Sequence, residues 1–261
     1  MPSVLLIGTG RMAYHLGHAI REAKVPIVGV TGRNAEQLAD LARYLKAPAL
    51  VWGRSLPDAD VVLIATSDDS IGEVARKLVP ADNVIAHTAG TVSLDVLQPH
   101  ANRGVLWPVQ TLSHGAPIEL KDVPLVIETN TDAARQALLK LARAISTSVF
   151  ELTHEQREVM HLAAVLTSNF PVFLVREAQR LLKQQKLPPD LLMPLWRTTA
   201  SKVGTIGPEQ ALTGPARRGD TRSIQRHLDL LAGEADLRRA YAQLSTMVLK
   251  AYGHSTDGID V

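Results

Sequence analysis

The residues best placed to do chemistry open the chain. Gly8-Thr9-Gly10-Arg11-Met12-Ala13 sets two glycines and a small residue at the spacing G-x-G-x-x-A, between the apolar run Val4-Leu5-Leu6-Ile7 and an amphipathic stretch carrying Met12, Leu16 and Ile20. In such a turn the first glycine makes the tight bend, the second lets a ligand approach the backbone, and the small third position lets helix and strand pack closely. A helix opening near Arg11 aims free N–H groups and the positive end of its dipole at an anion, so the chemistry indicated is pyrophosphate binding. A Gly-rich turn without a ligand has the same composition. The strand before it and the helix after it favour the phosphate reading.

The next informative residues are Val30-Thr31-Gly32-Arg33-Asn34. Sites for NAD usually carry an acidic residue about 20 residues after the glycines, whereas an Arg accommodates a 2′-phosphate. Here the first carboxylate is Glu36, and Arg33 offers a planar, permanently charged fork with Thr31 and Asn34 as hydrogen-bonding neighbours. The cofactor expected is NADP(H), unless Arg33 is a solvated loop residue. Arg11 is a second candidate for the adenine or a phosphate. Further on, Ala65-Thr66-Ser67 are small enough to let a cofactor pass close to the backbone, and Asp68 or Asp69 is expected to cap the helix before Ile71. His87-Thr88-Ala89-Gly90 closes another strand. His87 either faces the nicotinamide and substrate, with Thr88 beside it, or is a satisfied structural histidine. In the second half, Thr213-Gly-Pro-Ala-Arg-Arg-Gly-Asp220 forms a turn in which Arg217 and Arg218 suit a substrate carboxylate, a subunit contact or a solvated loop, with Thr221 as the cap of the next helix.

The elements that must position these residues alternate in the first half. Strands are predicted at 4–7, 25–30, 50–52, 61–65, 83–86, 104–107, 124–128 and 149–151, with helices among them at 35–45 and 132–145. Continuous apolar strands separated by helices predict a doubly wound parallel sheet of the Rossmann type. After Thr153 helices take over, at about 155–185, 189–203, 221–231 and 237–252. The domains expected are therefore 1–152, a cofactor-binding sheet, and 153–261, all helical, with a frayed tail from Gly253. The helix from Glu155 is apolar nearly all round and is expected to be buried. His161, Thr167, Ser168 and Asn169 are its polar exceptions, and Pro171 is expected to kink it.

Composition removes other chemistries. The 261 residues contain no Cys, so disulfides, thiolate metal sites and cysteine nucleophiles are excluded. With 28 Lys+Arg against 26 Asp+Glu the net charge is +2, which gives no footprint for nucleic acid. No unbroken apolar run approaches the roughly 20 residues of a membrane span. The start lacks the basic segment of a signal peptide, so a cytoplasmic protein is expected. His154-Glu155-Gln156-Arg157-Glu158 begins like a zinc-protease helix but carries Glu where the second His is required. No metal is expected.

The glycine turn, the Ala65–Asp69 and His87–Gly90 edges and the helical second half together resemble the superfamily of pyrroline-5-carboxylate reductase, prephenate dehydrogenase, ketopantoate reductase and the 6-phosphogluconate dehydrogenase type. His161-Leu-Ala-Ala-Val-Leu-Thr-Ser-Asn-Phe170 and Thr213–Asp220 carry a closer resemblance, to bacterial proteins labelled NADP oxidoreductases that join a Rossmann-like domain to a C-terminal domain of unknown function. The resemblance implies that the long helix leans over the nicotinamide, that the helical domain pairs with a second copy in a homodimer, and that polar groups on the helix serve catalysis. Relatives often use Lys and Asn there, but no Lys lies between Thr153 and Lys183. His161 takes the place of the proton donor, because imidazole titrates near neutrality. Asn169, eight positions on and about 80° round the helix, orients the substrate. The function expected is an NADP(H)-dependent oxidoreductase moving a hydride to or from a small carbonyl or imine compound, with a carboxylate on the substrate. The rival is a non-catalytic dinucleotide-binding redox sensor or regulator, and a deazaflavin-linked oxidoreductase would use the same sheet edge.

Overall fold

A computed structural model of the chain describes residues 1–53 and 56–259. The elements run β1 (Val4–Ile7), α1 (Arg11–Glu22), β2 (Ile27–Thr31), α2 (Ala35–Leu45), β3 (Ala49–Leu50), β4 (Val61–Ile64), α3 (Ile71–Arg76), β5 (Val84–His87), β6 (Asn102–Pro108), β7 (Leu125–Thr129), α4 (Asp132–Ile145) and β8 (Val149–Glu151). They form one eight-stranded sheet in the order β3-β2-β1-β4-β5-β6-β7-β8. The order reverses between β1 and β4, where a doubly wound sheet opens its ligand crevice. The expected Rossmann-type sheet is present, with one departure: β7 runs antiparallel to β6. The segment between these strands contains no helix, and a parallel return needs a crossover of a dozen or more residues that is usually helical. The strand expected at 50–52 shrinks to Ala49–Leu50, with Trp52 already in a turn.

Both faces of the sheet are covered, which is why its strands are apolar without alternation. Val4, Leu6, Val30, Leu63 and Ala86 pack toward one side, with Leu16, Leu41 and Leu138 of the helices. Leu5, Ile7, Val62, Ile64 and Ile85 face the other, with Ile71, Ala75 and Leu97.

The chain divides into two compact units, residues 1–174 and 175–261. The last strand ends at Glu151 and the first of the following helices, α5 (His154–Ala164), begins three residues later. Thr153 and Gln156 form a reciprocal capping box at its start. At Val165–Asn169 the helix widens into a π turn before α6 (Phe170–Gln184). The expected break at Pro171 is thus absorbed one turn earlier. Pro171 has no N–H to give the Thr167 carbonyl, and the Thr167 hydroxyl bonds back to the carbonyls of Ala163 (3.0 Å) and Ala164 (3.3 Å).

One expectation about this helix is corrected. It is not buried: Val159, Leu162 and Leu166 are each more than half exposed. Its 31 residues from His154 to Gln184 also reach the length and apolarity of a membrane span, by those measures alone. Reading for unbroken runs passed over it because Thr167, Ser168, Asn169 and Pro171 interrupt the apolar residues.

In the second unit, α7 (Met193–Ile206), α8 (Pro208–Ala211), α9 (Thr221–Leu230) and α10 (Ala235–Ala251) follow. Ile224 and Leu228 of α9 and Ala242 and Leu249 of α10 form its small core. Arg180 forks onto both carboxylate oxygens of Glu234 (2.7 and 2.9 Å) and holds that carboxyl down to about 2. The tail is not frayed through Ile259, which packs into the same core; Asp260 and Val261 lie outside the described residues.

Candidate functional site

β1 delivers the chain to the carboxyl edge of the sheet, where it turns through Gly8 at φ +129°. The Gly8 N–H donates to the Thr31 carbonyl at 2.8 Å. A Cβ on Gly8 would lie 2.3 Å from the Ala65 carbonyl oxygen, so the turn is pressed against the ends of β2 and β4 and only glycine fits. Gly10 stands at the N-cap of α1 without a side-chain cap, and nothing lies within 4 Å of where its Cβ would be. The first turn of α1 contains no acidic residue. Its free N–H groups and dipole therefore face open space at a place suited to an anion. Ala13 is completely buried beneath the turn, as close packing demands.

Above the turn opens a cavity of about 470 Å³, within the range of small-molecule sites. Gly8, Thr9, Gly10, Arg11 and Met12 line it, with Arg33 and Asn34 from the end of β2 and Ala65, Thr66 and Ser67 from the end of β4. Thr31 does not reach it. That side chain is completely buried and its hydroxyl donates to the Leu50 carbonyl at 2.8 Å, so its contribution is to hold the β2 end, and a direct cofactor bond is excluded. Asn34 caps α2 by accepting the Gln37 N–H at 2.9 Å. Asp68 and Asp69 are exposed and cap nothing. The Ser70 N–H and hydroxyl bond to the Ser67 carbonyl instead, at 2.9 and 2.8 Å.

Gln37, Trp52, Glu73, Val74 and Lys77 also line the cavity, and sequence reasoning missed them. Lys77 pairs with Glu73 at 2.6 Å and holds its carboxyl below the usual range, with Arg33 and Arg76 adding to the effect. An i,i+4 Glu–Lys pair reads in sequence as an ordinary solvated helix face. Its position beside Arg33 depends on the sheet order.

At the β5 edge the structure separates residues that the sequence grouped. His87 is completely buried, and its Nδ1 accepts the Ala89 N–H at 3.2 Å. Burial, then the nearby Arg157 charge, lowers its pKa to about 4. It is a neutral ring with its proton on Nε2, which faces the backbone of Ser93. Thr88 is buried as well. Neither side chain is open to a substrate, and both belong to the support of the edge.

His161 is half-buried on α5, with its ring 5.8 Å from that of Trp107 at the end of β6. A Cβ on Gly90 would lie 3.0 Å from its Cδ2. Arg157, one turn earlier, is completely buried and bonded to Glu128 of β7 (2.6 Å) and to the carbonyl of Gly90 (2.7 Å). Sequence reasoning passed over both Arg157 and Glu128. Asn169 is exposed beyond the π turn, whereas Ser168 is half-buried like His161. The wider turn changes the helical phase on which the pairing of His161 with Asn169 was based.

In the second unit the Arg217 guanidinium lies 3.7 Å over the Tyr252 ring, and the Tyr252 hydroxyl donates to Glu209 at 3.0 Å. Arg217 is thus engaged in a cation–π contact, while Arg218 is exposed. The cap of α9 is Asp220, which accepts the Ser223 N–H at 3.0 Å; Thr221 is the first helical residue.

Residues 2–111 match the Rossmann-like domain family and residues 123–248 match DUF2520, a domain of unknown function. No curated protein matches the sequence. Among solved structures, a "putative NADP oxidoreductase" from Bacteroides fragilis is 31% identical over 95% of this chain and 98% of its own, with a TM-score of 0.85. A protein from Thermotoga maritima is 24% identical over 96% of this chain and 98% of its own, at 0.77. An imine reductase from a Pseudomonas species is 14% identical over 96% and 94%, at 0.65. At these last two identities the fold is what is shared.

Proposed function

The chain belongs to the family that joins a Rossmann-like domain to DUF2520, and from that premise we propose that it is an NADP(H)-dependent oxidoreductase acting on a small, carboxylate-bearing carbonyl or imine compound. The observation that carries the reading is a single cavity containing both the open Gly10 turn and Arg33. The uncapped N-terminus of α1 fits a pyrophosphate, and Arg33 fits a 2′-phosphate where an NAD site would place a carboxylate. The name of the Bacteroides fragilis relative supports the choice of cofactor, and the imine reductase fold agrees with the class of reaction.

NADP(H), when bound, gives or accepts the hydride. Gly8 to Met12 hold the pyrophosphate, Arg33 and Asn34 the 2′-phosphate, and Ala65, Thr66 and Ser67 leave room for the chain of the cofactor along the edge. His161 gives a proton to the substrate oxygen or nitrogen as charge develops there, or takes it in the reverse direction. Asn169, exposed on the same helix, contacts the polar end of the substrate. Residues 1–152 bind the cofactor, and residues 153–261 serve the substrate and a second copy of the chain.

Fluorescence titration tests the cofactor. NADPH should bind about tenfold or more tightly than NADH, the worth of one charge-assisted hydrogen bond, and Arg33→Ala should erase the difference. Equal affinities in the wild type would overturn the assignment. With NADPH and a panel of 2-keto acids, cyclic imines and aldehydes, His161→Ala should lose turnover and keep its NADPH affinity; unchanged turnover would remove His161 from the mechanism. NADPH binding with no oxidation by any member of the panel would favour the redox-sensor reading, which the absence of Lys between Thr153 and Lys183 also favours.

A further inference from the structure

Three segments of the first unit meet on one buried guanidinium. Nε and Nη2 of Arg157 donate to Glu128 Oε2 at 3.0 and 2.6 Å. Nη1 donates to the carbonyls of Ala89 (3.3 Å) and Gly90 (2.7 Å), and the second hydrogen of Nη2 is shared between the Val92 carbonyl (3.0 Å) and His154 Nδ1 (3.0 Å). Every N–H of the fork has an acceptor. Three of those acceptors are carbonyls of the loop leaving β5, one is a carboxylate on β7, and the Arg itself sits at the start of α5. A buried ion pair is a poor way to gain stability alone, since an apolar side chain of similar volume often does as well. What the fork supplies is a fixed course for the Ala89–Val92 backbone.

That course matters because His161 packs on it. A Cβ at Gly90 would stand 2.9 Å from Trp107 Cε2 and 3.0 Å from His161 Cδ2, so both rings close directly on the glycine whose carbonyl Arg157 holds. The sheet order places this loop on the far side of β1 from Arg33, with β4 intervening. A dinucleotide whose pyrophosphate rests on the β1 turn and whose adenosine lies toward β2 must run its other half toward β5.

We propose that Arg157, held by Glu128, is the positioning residue for the nicotinamide half of the cofactor site: it fixes the Ala89–Val92 loop and, through Gly90, the seat of His161. The inference rests on the NADP(H) reading and adds to it a division of labour, in which Arg33 serves one end of the cofactor and the Arg157 fork the other.

Calorimetric titration of the intact protein with NADPH and with 2′,5′-ADP, which lacks the nicotinamide half, separates the possibilities. Arg157→Lys and Glu128→Gln should weaken NADPH by about tenfold or more and leave 2′,5′-ADP within about twofold. Gly90→Ala, which keeps every Arg157 bond but drives a methyl group between the two rings, should give the same split. Equal losses for both ligands would mean a merely structural role and overturn the proposal, as would unchanged NADPH affinity in folded variants. If the wild type binds 2′,5′-ADP and NADPH equally weakly or not at all, the cofactor reading itself fails and the positioning role falls with it.

Discussion

His87 shows how burial settles the role of a titratable side chain. Its ring has no access to solvent and its pKa stands near 4 against an ordinary 6.5. The unfolded chain therefore binds a proton there that the folded chain refuses. The neutral ring adds stability that is fully present above pH 6.5 and is lost as the pH falls toward 4, at most about 3 kcal/mol for a shift of this size. Thermal melts from about pH 7 down to about pH 4.5 should show a smaller loss of stability in His87→Leu than in the wild type; parallel losses would show that His87 is not the group responsible. The sequence presented His87 as either structural or substrate-facing, and nothing local distinguished the two. Arg157 was less legible still, because its partners lie 29 and 67 residues away and an Arg early in a polar helical turn reads as solvated.

Elements explain why the glycine turn was readable and the long helix was not. The turn is specified by neighbours in sequence: a strand, two glycines and the N-terminus of α1. The two glycines do different work, and that difference is testable. Gly8→Ala meets the Ala65 carbonyl at 2.3 Å in a backbone conformation hostile to side chains, and should destabilise the fold by several kcal/mol. Gly10→Ala meets nothing within 4 Å and should melt near the wild-type temperature, yet lose NADPH affinity because its methyl group occupies the space of the phosphate. Circular dichroism and NADPH titration check both halves; equal destabilisation would refute the distinction. The helix from His154 to Gln184, by contrast, follows a period broken by its π turn, and the phase of residues beyond Val165 depends on where the lost Pro171 bond is absorbed. The position of Asn169 could not be read by counting at 3.6 residues per turn.

At the scale of the molecule, composition and strand alternation made the Rossmann-type sheet legible, and the motifs at 161–170 and 213–220 made the family legible. What covers the helices was not. Leu162, Leu166 and Phe170 in the first unit and Leu191, Leu195 and Ile206 in the second all stand exposed. Apolar surface in this quantity is characteristic of subunit interfaces, and the partner proposed is a second copy of the chain. Sedimentation equilibrium should give twice 28.3 kDa, and Leu166→Glu or Leu195→Glu should shift the species toward the monomer; a wild-type monomer would refute the pairing. The bare helix then has a consequence for handling the protein. If these faces close only on a second chain, folding and association share one equilibrium, and the melting temperature should climb with protein concentration, so that dilution alone acts as a denaturant.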